Sequence, residues 1–199
     1  TPVVTVVGKT WDLHVSKVLE VSAQENIEMV ADSVRYLHAQ GREVIFDAEH
    51  FFDGYRADAT YACEVLRAAR DARAAWIVLC DTNGGSLPEW VYRVVHEVRE
   101  AIGTDVRLGI HTHNDAELAV ANALAAVRAG ARQIQGTING YGERCGNCNL
   151  VSVLPALVHK MGLACSRPSP LDKLTHLSRA VSEIANVAHD AHAPYVGAS

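Results

Sequence analysis

Short apolar runs rich in β-branched residues recur along this chain at intervals of about 25 to 40 residues, the length of a strand followed by a helix. Five strands are predicted from these runs, at residues 3–7, 44–46, 76–80, 106–110 and 133–138. Most of the segments between them carry helical periodicity, and several of these end at a glycine that can form a left-handed helix C-cap. Strands that alternate with helices indicate an α/β protein with a parallel sheet.

The helical segments also suggest how the chain is divided into domains. Helices are predicted at residues 25–40, 59–75, 88–101, 116–129, 150–161 and 171–187. The linker Pro168-Ser-Pro170 separates the last two. We therefore predict an α/β domain over residues 1–165, followed over residues 166–199 by a linker and the start of a helical subdomain. The strands alone fit either a doubly wound sheet or a closed barrel, but no Gly-x-Gly-x-x-Gly loop follows a strand, which disfavours a dinucleotide-binding fold.

The composition argues against some classes of binding partner. Half of the 199 residues are hydrophobic, and 18 basic against 23 acidic residues give a net charge of −5. No run of Lys or Arg could bind a phosphate backbone, and no apolar stretch is long enough to span a membrane, so neither nucleic acid nor a membrane is an expected partner. An odd number of cysteines, five, argues against a disulfide framework. We expect a soluble, cytoplasmic protein.

Polar residues follow four of the predicted strands. In a parallel α/β protein these positions lie at the carboxyl ends of the strands, where ligands bind. The four segments are Asp47-Ala-Glu49-His50, Asp81-Thr-Asn-Gly-Gly85, His111-Thr-His113-Asn114-Asp115 and Asn139-Gly-Tyr-Gly-Glu143.

His111 and His113 are the strongest local signal for a metal site. Alternate residues of a strand point the same way, so both imidazoles would face one ligand. The alternative is a pair of surface or core histidines at a strand end. Asn147, in the glycine-rich turn that follows the fifth strand, can supply an oxygen ligand. That turn could also be purely structural, with Glu143 and Arg144 forming a pair.

Two further segments offer groups for catalysis and substrate binding. Glu49 shares a strand face with Asp47 and is a candidate general base, although carboxylates at strand ends often only hold loops. Thr82 and Asn83 offer short donors for a substrate carboxylate, and the glycines after them would let a ligand approach the backbone. The alternative is an ordinary strand-to-helix loop.

Cys145-Gly-Asn-Cys148 is a C-x-x-C motif with two other interpretations. It could form a Cys2His2 zinc site with two histidines, or a redox pair by itself. The chain has no second C-x-x-C, and redox motifs of this kind usually follow the first strand of a thioredoxin-like unit. Both interpretations are therefore disfavoured.

Five motifs, taken together and in order, resemble those of the 2-isopropylmalate, homocitrate and citramalate synthase family. They are residues 8–14, 47–55, 81–85, 111–115 and 142–147. The resemblance implies a (β/α)8 TIM barrel of which these strands are the fourth to eighth, so that the chain is expected to be part of a longer protein. It also implies that His111, His113 and Asn147 bind Mg²⁺, Mn²⁺ or Zn²⁺, that Glu49 takes part in acid–base chemistry, and that Thr82 contacts a 2-keto acid.

The same resemblance implies a reaction. Members of the family transfer the acetyl group of acetyl-CoA to a small 2-keto acid on the way to isoleucine or leucine, and they act as homodimers. The motifs are most similar to those of the citramalate synthases, which implies that pyruvate is the acceptor. A 2-isopropylmalate or homocitrate synthase, or a carbon–carbon lyase on the same scaffold, is the alternative.

Overall fold

The computed structural model describes residues 1–165 and 171–198. At its centre lies one parallel sheet of five strands, and each strand pairs with the next along the chain. The five predicted strands are confirmed, although the fifth is shorter than predicted. The strands are β1 Val3–Lys9, β2 Glu43–Glu49, β3 Trp76–Asp81, β4 Leu108–Thr112 and β5 Gln133–Gln135.

The strand order decides between the two sheet architectures that the sequence left open. A doubly wound sheet reverses its strand order at a switch point, whereas the strands of a TIM barrel follow one another around the axis. The order here is β1-β2-β3-β4-β5, without reversal. Moreover, the side chains of Asp47 on β2 and Gln135 on β5 form a hydrogen bond of 2.9 Å. In a flat sheet these strands would lie about 14 Å apart, so the sheet curves as a barrel wall does.

Eight α-helices are present in the described residues. All six predicted helices are confirmed, whereas α1 and α3 were not predicted. The helices are α1 Asp12–His14, α2 Ala23–Ala39, α3 Phe51–Ala57, α4 Ala59–Asp71, α5 Pro88–Ile102, α6 Ala119–Ala129, α7 Leu150–Pro155 and α8 Leu174–Ala185. A π-helical segment extends α1 over Val15–Leu19 and another extends α7 over Ala156–Lys160. Helix α4 ends earlier than predicted because Arg73 takes a left-handed conformation (φ 80°) and Ala75 already donates to Val44 in the sheet.

Polar side chains fix where several helices begin. The hydroxyl of Ser22 accepts from the backbone N–H of Glu25 at the start of α2, and the carboxylate of Asp58 accepts from that of Tyr61 at the start of α4. Such caps satisfy N–H groups that have no partner within the helix. Pro88 occupies the first turn of α5, where its missing N–H costs nothing. The residue at which each helix begins determines the length of the loop before it.

The core lies between the sheet and its helices. Strand residues with no exposed surface, among them Phe46, Ile77 and Ile110, belong to the same apolar cluster as Leu66 of α4 and Val94 of α5. Removing this much apolar surface from water is the main stabilising contribution to the fold. The polar strand ends are thereby held on a rigid frame. Within the described residues, no helix combines the length and the apolar character needed to cross a membrane.

Helix α8 packs on the loop that follows β5. Leu174 forms a small apolar cluster with Val151 and Val196, and Ser178 exchanges hydrogen bonds with Asn139. The predicted linker Pro168-Ser-Pro170 lies outside the described residues. The division into an α/β domain and a helical subdomain therefore stays a prediction.

Candidate active site

His111 and His113 lie at the carboxyl end of β4, with ring centroids 5.1 Å apart. The Nδ1 atom of His111 is 2.7 Å from the side-chain oxygen of Gln135. His113 is buried, and its Nδ1 atom has no hydrogen-bond partner among the described residues. Burial, and then the neighbouring His111, lower the pKa of His113. A neutral imidazole is the form that can bind a metal ion.

Asn147 is brought beside these histidines by backbone pairing. His113 and Asn147 form an isolated antiparallel bridge, and the N–H of Asn114 donates to the carbonyl of Gly146 over 2.9 Å. The path requires a glycine at position 146, because its φ is 95° and a Cβ there would collide with the carbonyl oxygen of Gly140. The structure thus brings together the three residues that the resemblance assigns to a metal.

The donor atoms of this group fit a divalent cation. The side-chain oxygen of Asn147 and the Nδ1 atom of His113 are both buried, and neither has a hydrogen-bond partner in the described part of the chain. Buried polar atoms without partners are costly, and a bound cation would relieve that cost for the asparagine oxygen. No cluster of three or more His, Cys, Asp or Glu side chains suited to a metal occurs in residues 1–165 and 171–198. In the group formed by His111, His113 and Asn147, the oxygen atom belongs to an amide side chain.

Glu49 lies at the end of β2 and is partly buried. Its carboxylate forms an ion pair with the ammonium group of Lys9 at the end of β1, and its backbone carbonyl accepts from the hydroxyl of Thr10 over 2.7 Å. Asp47, two residues earlier, is buried, and burial raises the pKa of its carboxyl while the hydrogen bond from Gln135 opposes that rise. Lys9 therefore holds the carboxylate of the predicted base in a defined position.

Thr82 and Asn83 follow β3, but their side chains are engaged differently. The hydroxyl oxygen of Thr82 accepts from the backbone N–H of His50 over 2.8 Å, which leaves its hydrogen available for donation to a ligand. The amide nitrogen of Asn83 instead donates to Asp53 of α3 over 3.0 Å. Substrate-binding roles for Thr82 and Asn83 both stay predictions.

Arg144 ties together the loops that follow β3, β4 and β5. Its Nε and Nη2 atoms lie 2.8 and 3.0 Å from the carboxylate of Asp115, and Nη2 also donates to the carbonyl of Thr82 over 2.6 Å. The hydrogen bond from Arg144 lowers the pKa of Asp115. The pair with Glu143 that the sequence suggested is longer, at 3.8 Å. Arg144 therefore acts mainly between loops, not within its own turn.

A cluster of aromatic rings, to which no sequence pattern assigned a role, lies at the ends of β1 and β2. The ring centroids of His14 and His50 lie 4.2 Å apart, and Trp11 stacks on His14 at 5.0 Å. The Nδ1 atoms of both histidines are buried and lack hydrogen-bond partners in the described residues. Burial, followed by His14, lowers the pKa of His50. The available signal was that both histidines stand in motifs immediately after strands.

The two cysteines of the C-x-x-C motif lie in different environments. Cys145 is exposed, whereas Cys148 is fully buried, and both are free thiols. Burial raises the pKa of Cys148 to about 11. A thiolate is the form that binds zinc or attacks a disulfide, so the buried thiol disfavours both the zinc and the redox interpretation.

This chain is similar in sequence to a known family and to named proteins. The HMGL-like family model matches residues 1–182. The chain is 54% identical over 197 residues to (R)-citramalate synthase of Geobacter sulfurreducens and 52% identical over 202 residues to that of Synechocystis sp.. These matches cover 99% and 98% of this chain but 37% of each relative, so the chain spans little more than a third of their length.

A solved structure shares the fold. HMG-CoA lyase from Bacillus subtilis superposes with a TM-score of 0.81 over 98% of this chain and 66% of the lyase, at 15% sequence identity. At this identity the likeness concerns the fold alone, and that fold is an α/β barrel of the TIM type.

Proposed function

The chain belongs to the HMGL-like family, and we propose that this protein condenses acetyl-CoA with pyruvate to give citramalate and CoA. The relatives that share about half of its sequence are named (R)-citramalate synthases. The structural observation that carries the proposal is the convergence of His111, His113 and Asn147, with two buried donor atoms left without partners in the described residues. Such a group at the carboxyl ends of parallel strands suits a metal-assisted carbon–carbon bond formation.

His111, His113 and Asn147 would hold a divalent ion of the Mg²⁺, Mn²⁺ or Zn²⁺ class. When bound, this ion supplies a Lewis acid that polarises the carbonyl group of the keto acid. Two imidazole nitrogens and one amide oxygen form a mixed donor set that these ions accept to different degrees. Burial lowers the pKa of His113, which favours the neutral imidazole that can coordinate a metal ion.

The other residues bind the substrates and move the proton. The hydroxyl of Thr82, oriented by the N–H of His50, donates to the carboxylate of pyruvate. Glu49 removes a proton from the methyl group of acetyl-CoA, and that carbon forms the new bond to the carbonyl carbon of pyruvate. The keto oxygen takes up a proton to become a hydroxyl, and water then cleaves the thioester and releases CoA. Lys9 holds the carboxylate of Glu49 in position by its ion pair.

The test is product analysis of the full-length protein with acetyl-CoA and a panel of 2-keto acids. CoA release is followed with a thiol reagent, and products are identified by mass spectrometry. We expect kcat/KM to favour pyruvate over 2-ketoisovalerate by a finite factor, since each methylene in an apolar pocket is worth about 1–3 kcal/mol. A preference for the branched acid would indicate a 2-isopropylmalate synthase instead, and cleavage without condensation would indicate a lyase.

Oligomeric state and location are separate proposals. The homodimer and the cytoplasmic location implied by the resemblance remain predictions. Light scattering of the purified full-length protein measures the first, and fractionation of the native cells measures the second.

A further inference from the structure

Three side chains form a hydrogen-bonded relay across the inner face of the curved sheet. The carboxylate of Asp47 on β2 accepts from the amide nitrogen of Gln135 on β5 over 2.9 Å. The amide oxygen of the same Gln135 lies 2.7 Å from the Nδ1 atom of His111 on β4. Gln135 and His111 are also register partners in the sheet, so their side chains leave the same face side by side.

With Asp47 ionised, the donors and acceptors of this relay allow only one arrangement. An ionised carboxylate can only accept, so the amide of Gln135 must turn its N–H groups toward Asp47. Its oxygen then faces His111 and can only accept, so His111 must carry its hydrogen on Nδ1. Reversing the amide would place the oxygens of Gln135 and Asp47 against each other with no hydrogen between them. The relay therefore leaves the lone pair of His111 on Nε2.

We propose that Asp47 and Gln135 are positioning residues that fix the tautomer and the ring orientation of His111 for metal binding. This inference rests on the proposed function, because it takes His111 to be a metal ligand. Histidine ligands usually donate their second N–H to a carboxylate or a carbonyl, which orients the ring and raises its basicity. Here an amide stands between the carboxylate and the ring and transmits the polarity of Asp47 to His111.

The relay acts on one of the two histidines. The Nδ1 atom of His113 has no partner among the described residues, so nothing comparable fixes its tautomer there. Gln133 lies two residues before Gln135 on β5 and so points to the same face, but its amide oxygen makes no hydrogen bond within the described residues. Gln133 is therefore a matched control, with the same residue type on the same strand and no link to either histidine ring.

The first measurement is the tautomer of His111 in the metal-free, full-length protein. Long-range ¹H–¹⁵N correlation spectra of histidine-labelled protein distinguish a protonated Nδ1 from a protonated Nε2, and the spectrum of His111→Asn assigns the signals. We expect wild type and Gln133→Leu to carry the hydrogen on Nδ1, and Gln135→Leu to lose that preference. Asp47→Asn should also give mixed tautomers, since two amides can pair in either direction. A wild-type His111 protonated on Nε2 would overturn the relay.

The second measurement is Mn²⁺ affinity, followed by electron paramagnetic resonance. Gln135→Leu should bind Mn²⁺ about 10- to 100-fold more weakly than wild type, the usual effect of removing a partner of a metal-binding histidine, whereas Gln133→Leu should bind normally. The double variant Asp47→Asn/Gln135→Glu reverses the polarity of the first hydrogen bond, yet its new carboxylate still accepts from Nδ1. The double variant should therefore restore the hydrogen on Nδ1 of His111 and the wild-type affinity for Mn²⁺. A purely structural role of Asp47 and Gln135 would not predict this recovery.

The two measurements separate this inference from the proposed function. A lost tautomer preference in Gln135→Leu with unchanged Mn²⁺ affinity would overturn the positioning role. If wild type shows the expected tautomer but binds no divalent metal, the proposed function fails at its metal site while the hydrogen-bonded relay stands. Because the double variant keeps the side-chain volumes and the total charge, it covers the case in which Gln135→Leu does not fold.

Discussion

Replacing Gly146 by alanine tests how the path of the turn positions Asn147. Gly146 has a φ of 95°, and a Cβ there would collide with the carbonyl oxygen of Gly140. Gly41, which follows helix α2, is the matched control because its φ is 72° and a Cβ there would meet nothing within 4 Å. Both variants therefore place an alanine in a left-handed backbone conformation. Only in Gly146→Ala does the new Cβ also collide with another atom, the carbonyl oxygen of Gly140.

The expected cost follows from these contacts. A left-handed alanine costs roughly 1–2 kcal/mol, so Gly41→Ala should lower the free energy of unfolding by about that amount. Relieving the collision in Gly146→Ala must separate position 146 from Gly140, which disturbs two hydrogen bonds of 2.9 Å, from Asn147 N–H to Gly140 O and from Asn114 N–H to Gly146 O. Each hydrogen bond is worth about 1 kcal/mol, so Gly146→Ala should lower the free energy of unfolding by about 3–4 kcal/mol in total.

Urea unfolding and Mn²⁺ titration of the two full-length variants provide the assay. Gly146→Ala should lose more stability than Gly41→Ala by about 2 kcal/mol, the value of the two hydrogen bonds, and should also bind Mn²⁺ more weakly because the oxygen of Asn147 moves. Gly41→Ala should keep the wild-type affinity. Equal losses of stability, or an unchanged affinity in Gly146→Ala, would show that the turn does not hold Asn147 in the way described.

Four other substitutions have defined outcomes. His111→Ala and His113→Ala should each abolish metal-dependent turnover and weaken metal binding in calorimetry, and normal binding in both would remove these residues from the metal site. Glu49→Gln should keep the metal and lower kcat by a factor of about 10² to 10⁴, and a fully active variant would assign the base to another residue. Because Arg144 lowers the pKa of Asp115, their ion pair should stabilise the fold fully above about pH 4 and progressively less as the pH falls below it. Asp115→Asn should remove that acid-dependent loss from urea unfolding curves recorded between pH 3 and 7, and identical pH dependence in the variant would contradict it.

The features that the sequence predicts well are those governed by short-range patterns. Alternation along a strand places His111 and His113 on one side. The bridge that brings Asn147 to His113 is a tertiary contact, and only the resemblance assigned Asn147 to the same site. The strand β5 was predicted too long because its apolar pattern continues past the end of the sheet. At Gly136 the chain is already packed so closely against the carbonyl of Cys148 that a Cβ would not fit.

Contacts across the curved sheet could not be predicted from such patterns. Asp47 and Gln135 are 88 positions apart and meet only because the strands bend toward each other. The tilted rings of His14 and His50 meet where the backbone of His50 is left-handed (φ 54°), a conformation that is uncommon for residues other than glycine. In each case the tertiary fold, not the local sequence, selects the partner.

The relay between Asp47 and Gln135 restricts how this chain can be recombined with its relatives. A chimaera with its breakpoint anywhere between these residues takes Asp47 from one parent and position 135 from the other. If the second parent has a different residue at position 135, such a hybrid loses the polarity that orients His111, even when it has both His111 and His113. Breakpoints before Asp47 or after Gln135 inherit the pair intact. With such a parent, hybrids of these two classes should therefore differ in metal affinity even where their cores pack equally well.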